Sequence, residues 1–142
     1  MQPLHLLLPV FVQVGLTFFL AFWMARERIG ALARREVAPC DIALGQKAWP
    51  GRTAQVANAY CNQFELPTLF YAVVAFALIT SRADVVLLIL AWIFVASRLV
   101  HAWIHTTSND LRPRFRAFAF GMLTVLAMWV HFGASLLIAS LV

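Results

Sequence analysis

Apolar residues run through this chain in four long, nearly unbroken stretches. Leu4–Ala25 carries no charge and stops at Arg26, and Ala117–Val142 carries none either. Ala54–Thr80 carries one charge, Glu65, and Val85–Thr107 carries one, Arg98. A bilayer hydrocarbon core about 30 Å thick is crossed by roughly 20 apolar residues in a helix, and every stretch reaches that length. None alternates apolar and polar at period 2, as a membrane strand must. The pattern predicts an all-α membrane protein, a four-transmembrane-helix bundle forming one domain, with helices over about 4–25, 54–80, 85–107 and 117–142. No basic residue precedes the first stretch, and it is longer than a signal-peptide core, so it is expected to remain as a span.

Composition agrees. Apolar residues make up 63% of the 142 and charged residues 12%, against about 45–50% and about 25% in soluble domains. That excludes a disordered chain and leaves a water-soluble globule too little polar surface. The two cysteines, Cys40 and Cys61, are too few for a disulfide scaffold or a zinc site.

Charge placement sets the expected topology. Arg26, Arg28, Arg34, Arg35, Lys47 and Arg52 lie between the first two stretches, and Arg112, Arg114 and Arg116 before the fourth. The turn between the second and third holds only Arg82. The positive-inside rule then puts loops 26–53 and 108–116 in the cytoplasm and both termini outside, in an inner (plasma) membrane. Trp23, Tyr60 and Trp103 fall near the cytoplasmic ends, as an aromatic belt would. The net charge of +5 is accounted for by topology and anionic lipid; no motif supports a nucleic-acid partner. Ser81–Asp84 is short enough to force the second and third helices into a tight antiparallel hairpin.

Ionisable residues within a span are costly and mark function. Counted from the cytoplasmic ends, Glu65 and Arg98 both lie about nine residues, or roughly 13 Å, deep. They are expected to pair or to share a hydrogen-bonded network, since an unpaired charge there would cost several kcal/mol. Asn58, Asn62 and Glu65 form one stripe on the second helix, and Arg98, His101 and His105 form one on the third. The two stripes predict a polar cleft in the cytoplasmic half, with Arg112, Arg114 and Arg116 at its mouth and Pro67 freeing a carbonyl near its floor. Buried Asn and a Glu–Arg pair also serve simply as helix glue. Other polar positions read as packing: Gln13 and Thr17 as a helix or oligomer contact, and Gly121, Thr124, Met128, His131 and Ser135 as a narrow stripe permitting close helix approach. His5 reads as interfacial and Cys61 as a buried thiol. A haem between His101 and His131 is disfavoured, because the two lie roughly 12 Å apart in depth.

The run Asn62-Gln-Phe-Glu65-Leu-Pro67-Thr-Leu-Phe70 resembles the N-x-x-E signature, followed by Pro and Phe, of the MAPEG family, the membrane-associated proteins of eicosanoid and glutathione metabolism. Arg98-Leu-Val-His101, followed by Asn109, Arg112, Arg114, Phe118 and Gly121, looks like that family's second conserved region. The resemblance implies a homotrimer of four-helix subunits, with glutathione as co-substrate bound between subunits in the cytoplasmic half and lipophilic substrates or lipids entering from the bilayer. It assigns glutathione binding to Asn62, Glu65 and His101, with Asn58 and Arg98 in the same two stripes. Arg26 or Arg28 would be the contact from a neighbouring subunit. Arg114 would activate the thiolate, with Arg116 the competing alignment. An Arg beside the sulfur lowers the thiol pKa and favours the nucleophile.

The chain also departs from the family pattern. Asn58 and Cys61 stand where arginines are usual, Phe118 and His105 stand where Tyr is common, and the Glu-to-Pro spacing is shorter. Three readings follow: a glutathione-dependent transferase or peroxidase for lipophilic electrophiles or lipid hydroperoxides, a non-catalytic lipid-binding or scaffold protein of the same fold, and a haem or metal protein.

Overall fold

The computed structural model describes residues 3–43 and 48–141; Lys47 and Val142, which figure in the expectations above, lie outside them. Those residues form helices α1 (Pro3–Ala33), α2 (Pro39–Ile42), α3 (Gly51–Cys61), α4 (Leu66–Ile79), α5 (Val85–Thr106) and α6 (Leu111–Ser140), with a single 3-10 turn over Asn62–Phe64. Four helical segments are long and apolar enough to cross a membrane: α1, the α3–α4 pair, α5 and α6.

Two expected loops are shorter than the apolar runs implied. Helix α1 continues past Ala25 to Ala33, because Arg26–Ala33 holds good helix formers and no proline. At 31 residues it is about 46 Å long, more than the bilayer core requires. Helix α6 begins at Leu111 rather than Ala117, with Pro113 in its first turn, where a missing N–H costs nothing. The length of an apolar run reports membrane thickness, not helix length. Arg26, Arg28, Arg112, Arg114 and Arg116 therefore stand on helices, in fixed directions, at one end of the bundle, the basic end.

The expected single helix over 54–80 is broken. Pro67 has no N–H to continue the ladder, and α3 ends at Cys61. The chain tightens through Asn62–Phe64 and restarts at Leu66, where the Thr68 N–H and hydroxyl both donate to the Glu65 carbonyl, at 3.2 and 2.5 Å.

The core sits mainly in the half away from the basic end, where Leu6, Phe70, Val73, Leu87, Phe94 and Met128 are buried together. Helices α4 and α5 do not form the tight hairpin expected from the short turn between them. They meet through large side chains, Phe70 stacking on Phe94 with ring centroids 4.7 Å apart, while the most extensive backbone contact in the bundle is between α5 and α6. Gly121 permits that contact, since a Cβ there would lie 2.8 Å from Ser97 Oγ. Helix α3 packs on α1 and α5, and α4 leans on α6 and α1. Between α1 and the turn, Gln13 Nε2 donates to Gln63 Oε1 at 2.9 Å, with Gln13 0% and Gln63 1% exposed. Gln13 is thus a helix-packing residue. At the opposite end Asp84 caps α5, accepting from the Leu87 N–H at 2.8 Å, and His131 Nε2 of α6 lies 2.6 Å from its other carboxylate oxygen.

Candidate functional site

The break in the second span turns Asn62 and Glu65 toward one another. Asn62 Nδ2 donates to Glu65 Oε2 at 2.8 Å. From α5, Arg98 Nη2 donates to Asn62 Oδ1 and, at 3.4 Å, to its backbone carbonyl. Only one orientation of the Asn62 amide satisfies both neighbours: oxygen toward the guanidinium and nitrogen toward the carboxylate. Glu65 and Arg98 thus share a network through Asn62, and among the described residues they form no direct ion pair.

Arg98 is fully enclosed, at 0% exposure. Its guanidinium lies 5.9 Å from the centre of the Phe118 ring, and its Nε and Nη1 make no hydrogen bond to the described residues. It stands behind the site rather than in its wall.

In front of the network is a pocket of about 240 Å³ walled by Asn62, Glu65, His101, His105, Arg114 and Phe118, with Leu111 and Phe115 at its rim. His101 and His105 are buried and meet edge to face, ring centroids 5.6 Å apart, and His101 also meets Phe118 at 5.9 Å. Glu65 is exposed toward this space. Arg114, on the first turns of α6, is held by Asn109, whose Oδ1 accepts from Nη1. The pocket brings one carboxylate, one guanidinium, an amide and two imidazoles around a small volume. That set is chemically suited to a zwitterionic ligand held by charge-assisted hydrogen bonds.

The remaining expected site residues lie elsewhere. Asn58 is exposed and outside the pocket wall. Of the three arginines expected at the mouth, only Arg114 lines the pocket; Arg116 faces an apolar hollow with Ile93, Ser97, Val100 and Pro113, and Arg112 is exposed. Arg26 is exposed on another flank, beside Phe19, Trp23, Glu27 and Arg52. Cys61 is exposed, not buried as expected, because α3 packs on α1 and α5 through Val56, Ala57 and Ala59 and turns Cys61 outward. His131 is bonded to Asp84 at the start of α5, whereas His101 lies 17 residues along that helix, about 25 Å away. No two-histidine site joins them, and no cluster of three metal-ligating side chains occurs among the described residues. A larger hollow of about 680 Å³ between α1 and α5, walled by residues such as Leu16, Phe19, Trp23 and Trp103, has almost no polar surface.

Two contacts escaped the sequence reading. Arg52 Nη1 donates to Thr106 O at 2.5 Å, and Gln55 Nε2 donates to His105 O at 2.8 Å, so the first turn of α3 caps the carbonyl end of α5 beside the pocket. The basic side chain before an apolar run was legible, but its partner 54 residues away was not. The Asp84–His131 bond was equally hidden, although an Asp directly before the Val85 run is a helix-start signal.

Residues 6–134 match the family model of the MAPEG family. Comparison with curated proteins and with solved structures returned no match.

Proposed function

The chain belongs to the MAPEG family, and from that membership we propose that it is a glutathione-dependent membrane transferase or peroxidase acting on lipophilic electrophiles or lipid hydroperoxides. The observation that carries the proposal is the Asn62–Glu65 pair, held from behind by Arg98 and faced across a small pocket by Arg114. Glu65 suits the ammonium of the tripeptide, and Arg114 suits the sulfur as thiolate. A cation near sulfur stabilises the thiolate over the thiol and raises the nucleophile's population at neutral pH. In transfer, the sulfur lone pair forms a bond to the electrophilic carbon, and the leaving group departs with the electrons of the broken bond. In reduction, the thiolate attacks the terminal peroxide oxygen, the O–O bond breaks, the alkoxide takes a proton, and a second thiol converts the sulfenic acid to a disulfide and water.

A volume of about 240 Å³ is below the roughly 300–1,000 Å³ of sites that enclose a whole small ligand. We therefore infer that a neighbouring copy, in a homotrimer, completes the site. In that assembly the basic end faces the cytoplasm by the positive-inside rule.

The test is thermal stability of detergent-purified protein with and without millimolar glutathione, for wild type and Glu65→Gln. Ligand at a hundred times its dissociation constant stabilises the folded state by about 2.7 kcal/mol, and Glu65→Gln is expected to abolish the shift. Turnover of a panel of lipophilic electrophiles is then expected to fall at least a hundredfold in Arg114→Ala. Asn58 and Cys61, standing where arginines are usual, favour the second reading of a lipid-binding scaffold. No thermal shift, together with lipid retained in native mass spectrometry, would establish that reading instead.

A further inference from the structure

We propose that Asn109 is a positioning residue that aims the Arg114 guanidinium into the pocket; this inference rests on the proposed thiol chemistry. Asn109 is the third residue of the four-residue link between α5 and α6, with φ of 55°, in the left-handed region. Its own N–H returns to Ile104 O at 2.8 Å, which ties the link to the last turn of α5. A non-glycine residue pays a steric cost in this conformation, and asparagine is among the few that tolerate it. Glycine would serve the backbone better. What glycine lacks is the carboxamide, whose oxygen accepts from Arg114 Nη1 five residues on.

Arg114 needs such a tether. Among the described residues the Asn109 contact is the one side-chain hydrogen bond that Arg114 makes, and it forms no ion pair, Asp110 four residues before it included. A guanidinium on a long, rotatable stem otherwise spreads over many rotamers, with a large entropy cost on ordering. With one N–H fixed by Asn109, the planar fork is held beside His101, His105 and Glu65, and its remaining N–H groups can meet a ligand anion. The Asn109 amide is neutral, so it orients the guanidinium without neutralising it. An aspartate there would orient it equally well but would draw off part of its positive charge.

Three variants separate geometry from backbone and charge. Asn109→Gly keeps the left-handed link and removes the tether. Asn109→Asp keeps the tether and adds an anion. Asn109→Ala removes the tether and strains the link. The measurements are thermal stability, kcat and KM for glutathione, and the pH dependence of thiolate formation followed by its ultraviolet absorbance on the bound tripeptide. Asn109→Gly is expected to fold with unchanged or higher thermal stability and to lose about ten- to a hundredfold in kcat, the scale set by misplacing a catalytic group by about an ångström. Its bound-thiol pKa is expected to rise toward that of a free thiol, about 8.5. Asn109→Asp is expected to recover part of kcat.

If Asn109→Gly matches wild type in both kcat and thiol titration while Arg114→Ala is impaired, the tether is idle and the inference is overturned. An Asn109→Asp variant no better than Asn109→Gly also counts against it. If wild type neither binds glutathione nor turns over, the proposed function has failed instead, and the two failures are told apart by the wild-type measurement.

Discussion

Replacing Arg98 by methionine should leave the fold as stable as before, or more so, while weakening the site. Arg98 is 0% exposed and lies within a span. Its gain is the donation to Asn62, worth about 1.5–3 kcal/mol for a charged hydrogen bond; the 3.4 Å contact to the Asn62 carbonyl adds little. Against that, Nε and Nη1 are buried without a protein partner, and each unsatisfied group costs about 1–3 kcal/mol. Arginine cannot escape by losing its proton. Methionine fills most of the same volume, keeps contact with Phe118 and removes both orphaned groups. These ranges combine to place Arg98→Met between about 1 kcal/mol less and about 4 kcal/mol more stable than wild type, most of the range being on the stabilising side. Denaturant titration of purified protein in mild detergent measures it, with Arg98→Ala, expected to lose about 2–4 kcal/mol to its cavity, as the contrast. Glutathione affinity, measured in parallel, should fall about tenfold, because Asn62 is then free to rotate away from Glu65. A loss of more than about 2 kcal/mol in Arg98→Met would mean that the guanidinium is net glue for the helices. Unchanged stability with unchanged affinity would mean that Asn62 does not need it.

Gly121→Ala should cost about 1–3 kcal/mol by overpacking, since the new Cβ meets Ser97 Oγ at 2.8 Å, and adding Ser97→Ala in the same chain should recover most of it in thermal melts. Gln13→Leu should cost about 1–3 kcal/mol by orphaning Gln63 Oε1 in the core, while Gln13→Leu with Gln63→Leu should be closer to wild type than the single change; equal losses in a double-mutant cycle would sink that account. Burial pushes the Asp84 carboxyl up, but the Leu87 N–H and the His131 ring outweigh it and hold the group below its ordinary value. A depressed carboxyl stabilises the fold above its unfolded pKa, about 3.9, and that contribution is lost as pH falls through the folded value. Melting temperature should therefore drop in acid below about pH 4, and Asp84→Asn, which keeps a capping side chain, should flatten the drop.

The spans were legible because the bilayer imposes one requirement, a sustained apolar run, that no local feature disguises. The site was legible because ionisable residues in such runs are few, so Glu65 and Arg98 stood out, and helical spacing placed Asn62 and His101 beside them. Three things stayed hidden. Helix ends beyond the membrane obey propensity and capping rather than hydropathy, which is why α1 and α6 overran their expected limits. The rotation of α3 decides which neighbour of Asn62 faces outward, and a single sequence does not say that the side carrying Cys61 lacks a packing partner. Long-range acceptors such as Thr106 O for Arg52 leave no mark on a single sequence.

Charge balance within the pocket leads to a last test. Glutathione at neutral pH carries two carboxylates and one ammonium, and its reactive form adds a thiolate. One chain's pocket offers Glu65 for the ammonium and Arg114 for the sulfur, so both carboxylates remain without a cation; Arg98 is enclosed and spent on Asn62. For the proposed ligand, further positive charge must come from outside this pocket, and Arg26, exposed on another flank, is placed to supply it to a neighbouring copy in the proposed trimer. Arg26→Ala should raise KM for glutathione about tenfold while leaving kcat nearly unchanged, because the lost contact is made equally before and during reaction. Arg26→Ala and Glu65→Gln damage opposite sides of one shared site. Chains carrying the two changes separately, co-assembled, should form some interfaces with both side chains intact and regain, at subsaturating glutathione, part of the turnover that each assembly lacks alone. Absence of that recovery, in co-assemblies verified by differential tags, would show that the two residues serve the same chain's site and that the site is not shared.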